Sequence, residues 1–124
     1  MAELIEGSTL HVCCGSSGLG DVRIDLHTEA DVKADMFHLP FRRETFDTVL
    51  CDPPWNLPYH VRFKLLYELR DVLKPGGRLI FNSLWFPHVR GLEVDPVIWI
   101  GVPGVSWRNV SLIFTARRSS LPTR

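Results

Sequence analysis

Long hydrophobic runs are missing from this chain of 124 residues. None approaches the ~20 apolar residues that cross a bilayer, so no membrane-spanning helix is expected. The start, Met1-Ala2-Glu3-Leu4-Ile5-Glu6, is acidic and lacks the shape of an export signal, which points to a cytoplasmic protein. Cysteine is scarce and odd in number: Cys13, Cys14 and Cys51. Without an export signal, that argues for reduced thiols rather than a disulfide framework. No CxxC pair appears, and although His11, Cys13 and Cys51 could converge in space, no metal is expected. Net charge is absent too, with 14 basic and 14 acidic residues, which argues against tight, unaided binding to bare DNA. No Gly-Lys-Ser/Thr follows a glycine loop, which excludes a phosphate-cradling P-loop, and no nucleophile elbow with His and Asp partners is present.

What is there describes one globular unit. Hydrophobic residues make up 45% and charged residues 23%, close to the average for soluble domains and far from disordered or coiled-coil compositions. We read residues 1–124 as a single domain, with a core over about 8–117 and a basic, frayed tail from 118 to 124. The charge is not spread evenly. Residues 1–60 hold 4 basic and 10 acidic residues, whereas 61–124 hold 10 basic and 4 acidic. That asymmetry fits either a polyanion-facing side or a mixed surface that happens to segregate along the chain.

Periodicity predicts the elements. Thr9–Cys14 is a short, partly β-branched run entering Gly15-Ser16-Ser17-Gly18-Leu19-Gly20, a buried strand followed by a glycine loop. Asp21–Leu26 alternates and predicts a second strand, Asp31–Met36 a short third, and Phe46–Cys51 a fourth. Leu65, Leu66, Leu69, Val72 and Leu73 follow helical spacing over about 60–73, and Lys74-Pro75-Gly76-Gly77 stops that helix. Arg78–Ser83 resumes as a strand. Val97–Ile100 and Val110–Thr115 read as two arms of an antiparallel pair around Pro103-Gly104. Strands with few helices between them suggest an open α/β sheet, in which ligands bind outside the carboxyl ends of the strands. Gly15–Gly20, Asp25, Asp35 and Asp52–Trp55 each follow a predicted strand and should share that edge.

Three of these features carry chemistry. The glycine loop lets backbone approach a ligand closely. Asp25 follows it by ten residues. An acid at the end of a second strand binds ribose hydroxyls in doubly wound folds, and we read Asp25 so, on a shortened crossover; the alternative is an ordinary strand-end carboxylate. Asp52-Pro53-Pro54-Trp55 is the most specific feature. Two prolines remove two backbone donors and fix two φ angles, and Asp52 before proline is driven to an extended conformation. Fixed acceptors beside a tryptophan face suit a planar ligand bearing an exocyclic amine. A rigid connection with a core tryptophan is the other reading of the same residues. Trp85-Phe86-Pro87-His88, after the next strand, either walls a pocket or packs in the core; solvated charge is the default for Arg42-Arg43 and Arg117-Arg118.

In this order, the glycine loop, Asp25, Ala34-Asp35-Met36-Phe37-His38-Leu39-Pro40-Phe41, Phe46-Asp47-Thr48-Val49, Asp52-Pro53-Pro54-Trp55 and Leu73-Lys74-Pro75-Gly76-Gly77-Arg78-Leu79 resemble the class I S-adenosylmethionine-dependent methyltransferases. The branch resembled methylates amino nitrogens through an (Asp/Asn)-Pro-Pro-aromatic motif, as adenine-specific DNA methylases do. The resemblance covers roughly residues 8–117. It implies a Rossmann-like methyltransferase fold with a mostly parallel sheet, a C-terminal antiparallel pair and reduced helix content. It implies S-adenosyl-L-methionine as cofactor, with Cys14, Gly15, Ser16 and Gly18 lining its methionine and ribose part, Asp25 on the ribose hydroxyls, and Asp35 and Met36 at its adenine. Asp52, Pro53, Pro54 and Trp55 would hold the target amine, Asp52 also facing the cofactor. The implied reaction is methyl transfer to an exocyclic amine of a DNA or RNA base, adenine N6 first; the alternatives are a protein side-chain amine, or an inactive partner of another methyltransferase. The chain departs from the family pattern at His11, where an acid is usual, at Cys13, where glycine is common, and in a crossover too short for the usual first helix. It shows no target-recognition domain, so a homodimer, a partner supplying recognition, or an accessible single strand is expected.

Overall fold

A computed structural model describes residues 4–15, 17–26, 30–54, 57–101 and 111–119. Its six strands are β1 (Thr9–Val12), β2 (Val22–Ile24), β3 (Phe46–Cys51), β4 (Leu73–Asn82), β5 (Leu92–Gly101) and β6 (Ser111–Arg118). One α-helix, α1 (Tyr59–Val72), is found among the described residues. The strands form a single sheet in the order β2-β1-β3-β4-β6-β5. β2, β1, β3 and β4 run parallel, and β6 pairs antiparallel with both β4 and β5. This is the Rossmann-like, mostly parallel sheet with few helices and a C-terminal antiparallel pair that the sequence implies. Because β1 lies between β2 and β3, the connections diverge on either side of it. That divergence opens the crevice in which doubly wound sheets bind ligands.

Burial explains the two faces. α1 has no side-chain cap at Pro58 and no acidic residue in its first turn, so packing holds it. Its Leu65, Leu66, Leu69 and Val72 are buried against Leu10, Val12, Val49, Leu79 and Phe81 of the sheet. The helix runs straight into β4, because Leu73 is already extended (φ −79°, ψ 140°). On the opposite face no helix is present among the described residues. Leu4, Leu50, Ile80 and Ile113 pack there under Ile5 and Leu19.

β1 and β2 are parallel neighbours joined by residues 13–21 alone, where such a crossover usually needs a dozen or more. Side chains replace the missing helix. The His11 imidazole, 3% exposed, places Nδ1 3.1 Å from the Leu19 carbonyl. Asp21 Oδ2 accepts the Thr9 N–H at 2.8 Å, and the Thr9 carbonyl accepts the Asp21 N–H at 2.8 Å. Gly20 (φ 102°) lies flat on the histidine: a Cβ there would stand 3.1 Å from His11 Cβ.

Four expectations need correction. Asp31–Met36 is not a strand; Val32 alone bridges Ile24, in parallel on the free edge of β2, which is itself only three residues long. Cys13-Cys14 leave β1 rather than extend it, and Cys13 is left-handed (φ 59°). β4 begins at Leu73, with a register irregularity against β3 between Phe46 and Thr48 where Lys74-Pro75-Gly76-Gly77 bulges. Arg118 is not tail: it belongs to β6, where it is 7% exposed and donates to the carbonyls of Leu73 and Asp71. The Pro103-Gly104 turn lies outside the described residues.

Candidate active site

The parallel strands deliver their carboxyl ends to one edge of the sheet, where the segments leaving β1, β2 and β3 meet. After β1, the Cys14 N–H donates to the Ile24 carbonyl at 3.1 Å, tying the glycine loop to the end of β2. The next amide, Gly15 N–H, donates to Asp25 Oδ2 at 2.9 Å. Two features separated by ten residues are thus in direct contact, and the loop is closed by the acid expected to serve the ribose. Space around the Gly15 and Gly18 Cα atoms is open: a Cβ on either would meet nothing within 4 Å. Ser16 lies outside the described residues.

Asp35 is fixed by its own turn. Its Oδ1 accepts the Phe37 N–H at 3.0 Å and its Oδ2 stands 3.3 Å from His38 Nδ1. The Phe37 amide, with help from His38, holds this carboxyl below the usual carboxylate range against a smaller desolvation effect. The Glu68 carboxylate of α1 accepts the Leu39 N–H at 2.9 Å and anchors the segment from below. Met36 reaches the end of β1, with Sδ 3.5 Å from Cys13 Sγ.

β3 ends in Cys51, and Asp52 continues beside β1, its N–H 3.3 Å from the Val12 carbonyl. No hydrogen bond or ion pair reaches the Asp52 carboxylate from the described residues. The residue keeps an exposed surface, yet the protein packed about the carboxyl withdraws enough water to raise its pKa, with His11 acting in the opposite sense. His11 itself is pushed down by burial, against the Leu19 carbonyl and the charges of Asp52 and Asp25. Pro53 is buried and Pro54 exposed; the Pro54 carbonyl accepts the Leu57 N–H at 3.3 Å, closing the turn into α1. Trp55 lies outside the described residues.

Cys51 and Cys14 are held in the protonated form. Burial raises Cys51 well above an ordinary thiol, and Cys13 beside it adds to the effect; burial and then Asp25 raise Cys14. Protonated thiols attack poorly. Among the described residues no group of three or more His, Cys, Asp or Glu side chains is arranged to hold a metal. A separate cavity of about 350 Å³ opens at the other end of the strands, lined in part by Glu6, Asp47, Lys74 and Arg117. Its charges are paired, Lys74 with Asp47 at 3.3 Å and Arg117 with Glu6 at 2.7 Å, and none of the motif residues expected to bind ligand lines it. Sequence reading missed His11 as the anchor of the loop and Ser83 at the end of β4. The His11 contact runs to Leu19 within the crossover and the Ser83 N–H to Leu112 of β6, and the unusual His11 was the one local signal.

The methyltransferase domain family matches residues 11–81, more than half of the chain. The chain belongs to this family. Solved methyltransferase-fold structures agree. TrmN from Thermus thermophilus superposes with a TM-score of 0.68 at 19% identity, over 90% of this chain and 44% of that one. The N-methyltransferase NodS from Bradyrhizobium japonicum gives 0.62 at 14% identity, over 91% and 88%. By sequence, the uncharacterized protein MJ0638 of Methanocaldococcus jannaschii is 45% identical over 53 residues, 42% of this chain and 22% of that protein. The chain thus spans less than half the length of MJ0638 and of TrmN. The cofactor of this methyltransferase domain is S-adenosylmethionine. The residues fit it: acidic acceptors at Asp25 and Asp35 suit hydroxyl and amine donors, and the open space at Gly15 and Gly18 admits a ligand against backbone.

Proposed function

We propose that this methyltransferase domain methylates an exocyclic amino nitrogen of a nucleic-acid base, adenine N6 first. The observation that carries the reading is the Asp52 carboxylate: stiffened by two prolines, unpartnered among the described residues, and set on the edge that Gly15, Asp25, Asp35 and Met36 also reach. Bound S-adenosylmethionine supplies an electrophilic methyl on a sulfonium. Cys14, Gly15, Ser16 and Gly18 would line its methionine and ribose part, Asp25 would hold the ribose hydroxyls, and Asp35 with Met36 would hold the adenine.

An aromatic amine is a weak nucleophile because its lone pair is delocalised into the ring. The Asp52 carboxylate and the Pro53 carbonyl accept its two N–H groups and favour the pyramidal form, freeing the lone pair. Holding the amine in that orientation lowers the barrier by several kcal/mol, and the carboxylate offsets positive charge growing on nitrogen. The same carboxylate stands where the proton released from the alkylated nitrogen can go. Trp55 stacks on the base, worth roughly 1–3 kcal/mol. A base in a duplex must leave the helix first. The fold accommodates transfer to nitrogen, as in NodS.

The test is label transfer from methyl-labelled S-adenosylmethionine to single-stranded DNA or RNA, with a protein acceptor in parallel. Asp52→Ala should lower transfer to adenine by on the order of 10²–10³-fold while the protein remains folded. Transfer to protein alone would redirect the acceptor. Cofactor binding without transfer to either would support a non-catalytic partner, the role the missing crossover helix favours.

A further inference from the structure

Just past the end of β4 lie two polar atoms that nothing among the described residues explains. Ser83 is 8% exposed, and its Oγ is buried without a partner among the described residues; Trp85 Nε1 is buried without one there too. A buried hydroxyl and a buried indole N–H are normally satisfied, so each such atom calls for an explanation. The third orphan among the described residues, Arg78 Nε, belongs to a side chain already engaged elsewhere through its Nη1, which donates to the Leu4 carbonyl at 3.1 Å.

Their place is informative. Leu50 pairs with Ile80 and Cys51 with Phe81, the last paired step of β3 and β4, and Pro53 and Ser83 each lie two residues beyond it in the chain. The Ser83 N–H donates to the Leu112 carbonyl at 3.1 Å, so its hydroxyl is the donor left without a partner among the described residues. Phe81 is in the core beneath α1, and Ser83, just past the last residue of β4, is buried in the bend that follows. The Trp85 ring meets the Phe81 ring edge-on at 4.7 Å and lies under the Arg62 guanidinium at 4.9 Å. Arg62 Nε donates to the Leu57 carbonyl at 3.4 Å, and Leu57 N–H to the Pro54 carbonyl at 3.3 Å. Trp85 is thereby linked to the loop that follows Asp52-Pro53-Pro54.

We infer that Ser83 and Trp85 form a recognition subsite for the ring of the acceptor base, beside the residues that hold its amine. This rests on the amine-methylation reading and adds to it. The indole can only donate, so it calls for an acceptor. In adenine and cytosine a ring nitrogen acceptor flanks the exocyclic amine. An amine held by Asp52 and a flanking nitrogen held by Trp85 Nε1–H together read that donor–acceptor edge. The Ser83 hydroxyl, able to donate or accept, completes it.

The experiment compares wild type, Trp85→Phe and Ser83→Ala on single-stranded oligonucleotides holding one adenine, one 7-deazaadenine or one 1-deazaadenine. Thermal melting checks that each variant is folded. Each substitution should raise KM for the adenine oligonucleotide about tenfold while kcat stays within about twofold. The Trp85→Phe deficit should vanish on the analogue lacking the nitrogen that the indole holds. An unchanged KM in both folded variants, as expected if a buried water satisfies both atoms, overturns the subsite and leaves amine methylation standing. So does a Trp85→Phe deficit that is equal on all three bases. No transfer by wild type to any oligonucleotide overturns both proposals.

Discussion

Two aspartates bracket β3, and they live in opposite worlds. Asp47, near its start, has Oδ2 accepting both the N–H and the hydroxyl of Ser8, at 2.9 and 3.0 Å, while Oδ1 pairs with Lys74 at 3.3 Å. Those partners, the Ser8 amide foremost, hold its carboxyl below the usual range. Asp52, just past the end of the strand, has no such partner among the described residues, and desolvation raises it. The whole molecule divides the same way. The amino ends of the parallel strands are closed by ion pairs, including Glu6 with Arg117, and these line the cavity there. Among the described residues, the carboxyl ends carry open glycines, the Asp52 carboxylate without a hydrogen-bond partner and buried donors without partners. On the proposed function, stability is concentrated at one end of the sheet and chemistry at the other.

Matched glycine substitutions should break this contrast most sharply. Gly7 (φ 62°) leads into the Asp47 clasp, and a Cβ there would stand 2.4 Å from Asp47 Oδ2. Gly7→Ala should cost about 2–3 kcal/mol, read as a lower melting temperature, without altering affinity for S-adenosylmethionine. Gly15 (φ 55°) has open space instead. Gly15→Ala should cost only the left-handed penalty of about 1 kcal/mol but weaken cofactor binding at least tenfold by calorimetric titration. Equal effects on both properties in the two variants would erase the distinction between the ends.

A smaller effect lies in the pH dependence. A carboxyl whose pKa is lowered in the folded state binds its proton later than in the unfolded chain. Its stabilisation is present above about pH 4 and is lost as pH falls through the folded value. Asp47 follows that sign, so Asp47→Asn should flatten the acid decline of melting temperature. Asp52 follows the reverse: its raised pKa means that protonation favours the folded state as pH falls. Asp52→Asn should therefore steepen the acid decline relative to wild type. Melting curves across pH 3–7 would show whether the two variants diverge in these directions.

The features legible in the sequence were local ones. The run Phe46–Cys51 and the spacing of Leu65, Leu66, Leu69 and Val72 define β3 and α1 because each pattern is complete within its own segment. The antiparallel arms are legible for the same reason. Asp31–Met36 has strand-like alternation but gains only one bridge, since strand formation depends on a neighbour that the segment itself does not reveal. Arg118 reads as tail because it is basic and near the end of the chain; its burial against the Leu73 carbonyl comes from 45 residues away. The motif residues of the site were visible as motifs. Their supports were hidden: the Gly15–Asp25 contact, and the imidazole of His11 beneath the loop. Cys13 left one trace, a side chain at a position where glycine is common, and the structure shows the left-handed backbone that makes glycine the easier residue there.

The division of the sheet into a binding end and a structural end is tested most directly by ultraviolet crosslinking of methyl-labelled S-adenosylmethionine to the intact chain, with peptide mapping of the product. The account predicts label within residues 13–25, 35–41 or 52–55, suppressed by excess unlabelled cofactor. Specific label confined to residues 6–8 or 74–77, at the opposite end of the strands, would contradict it.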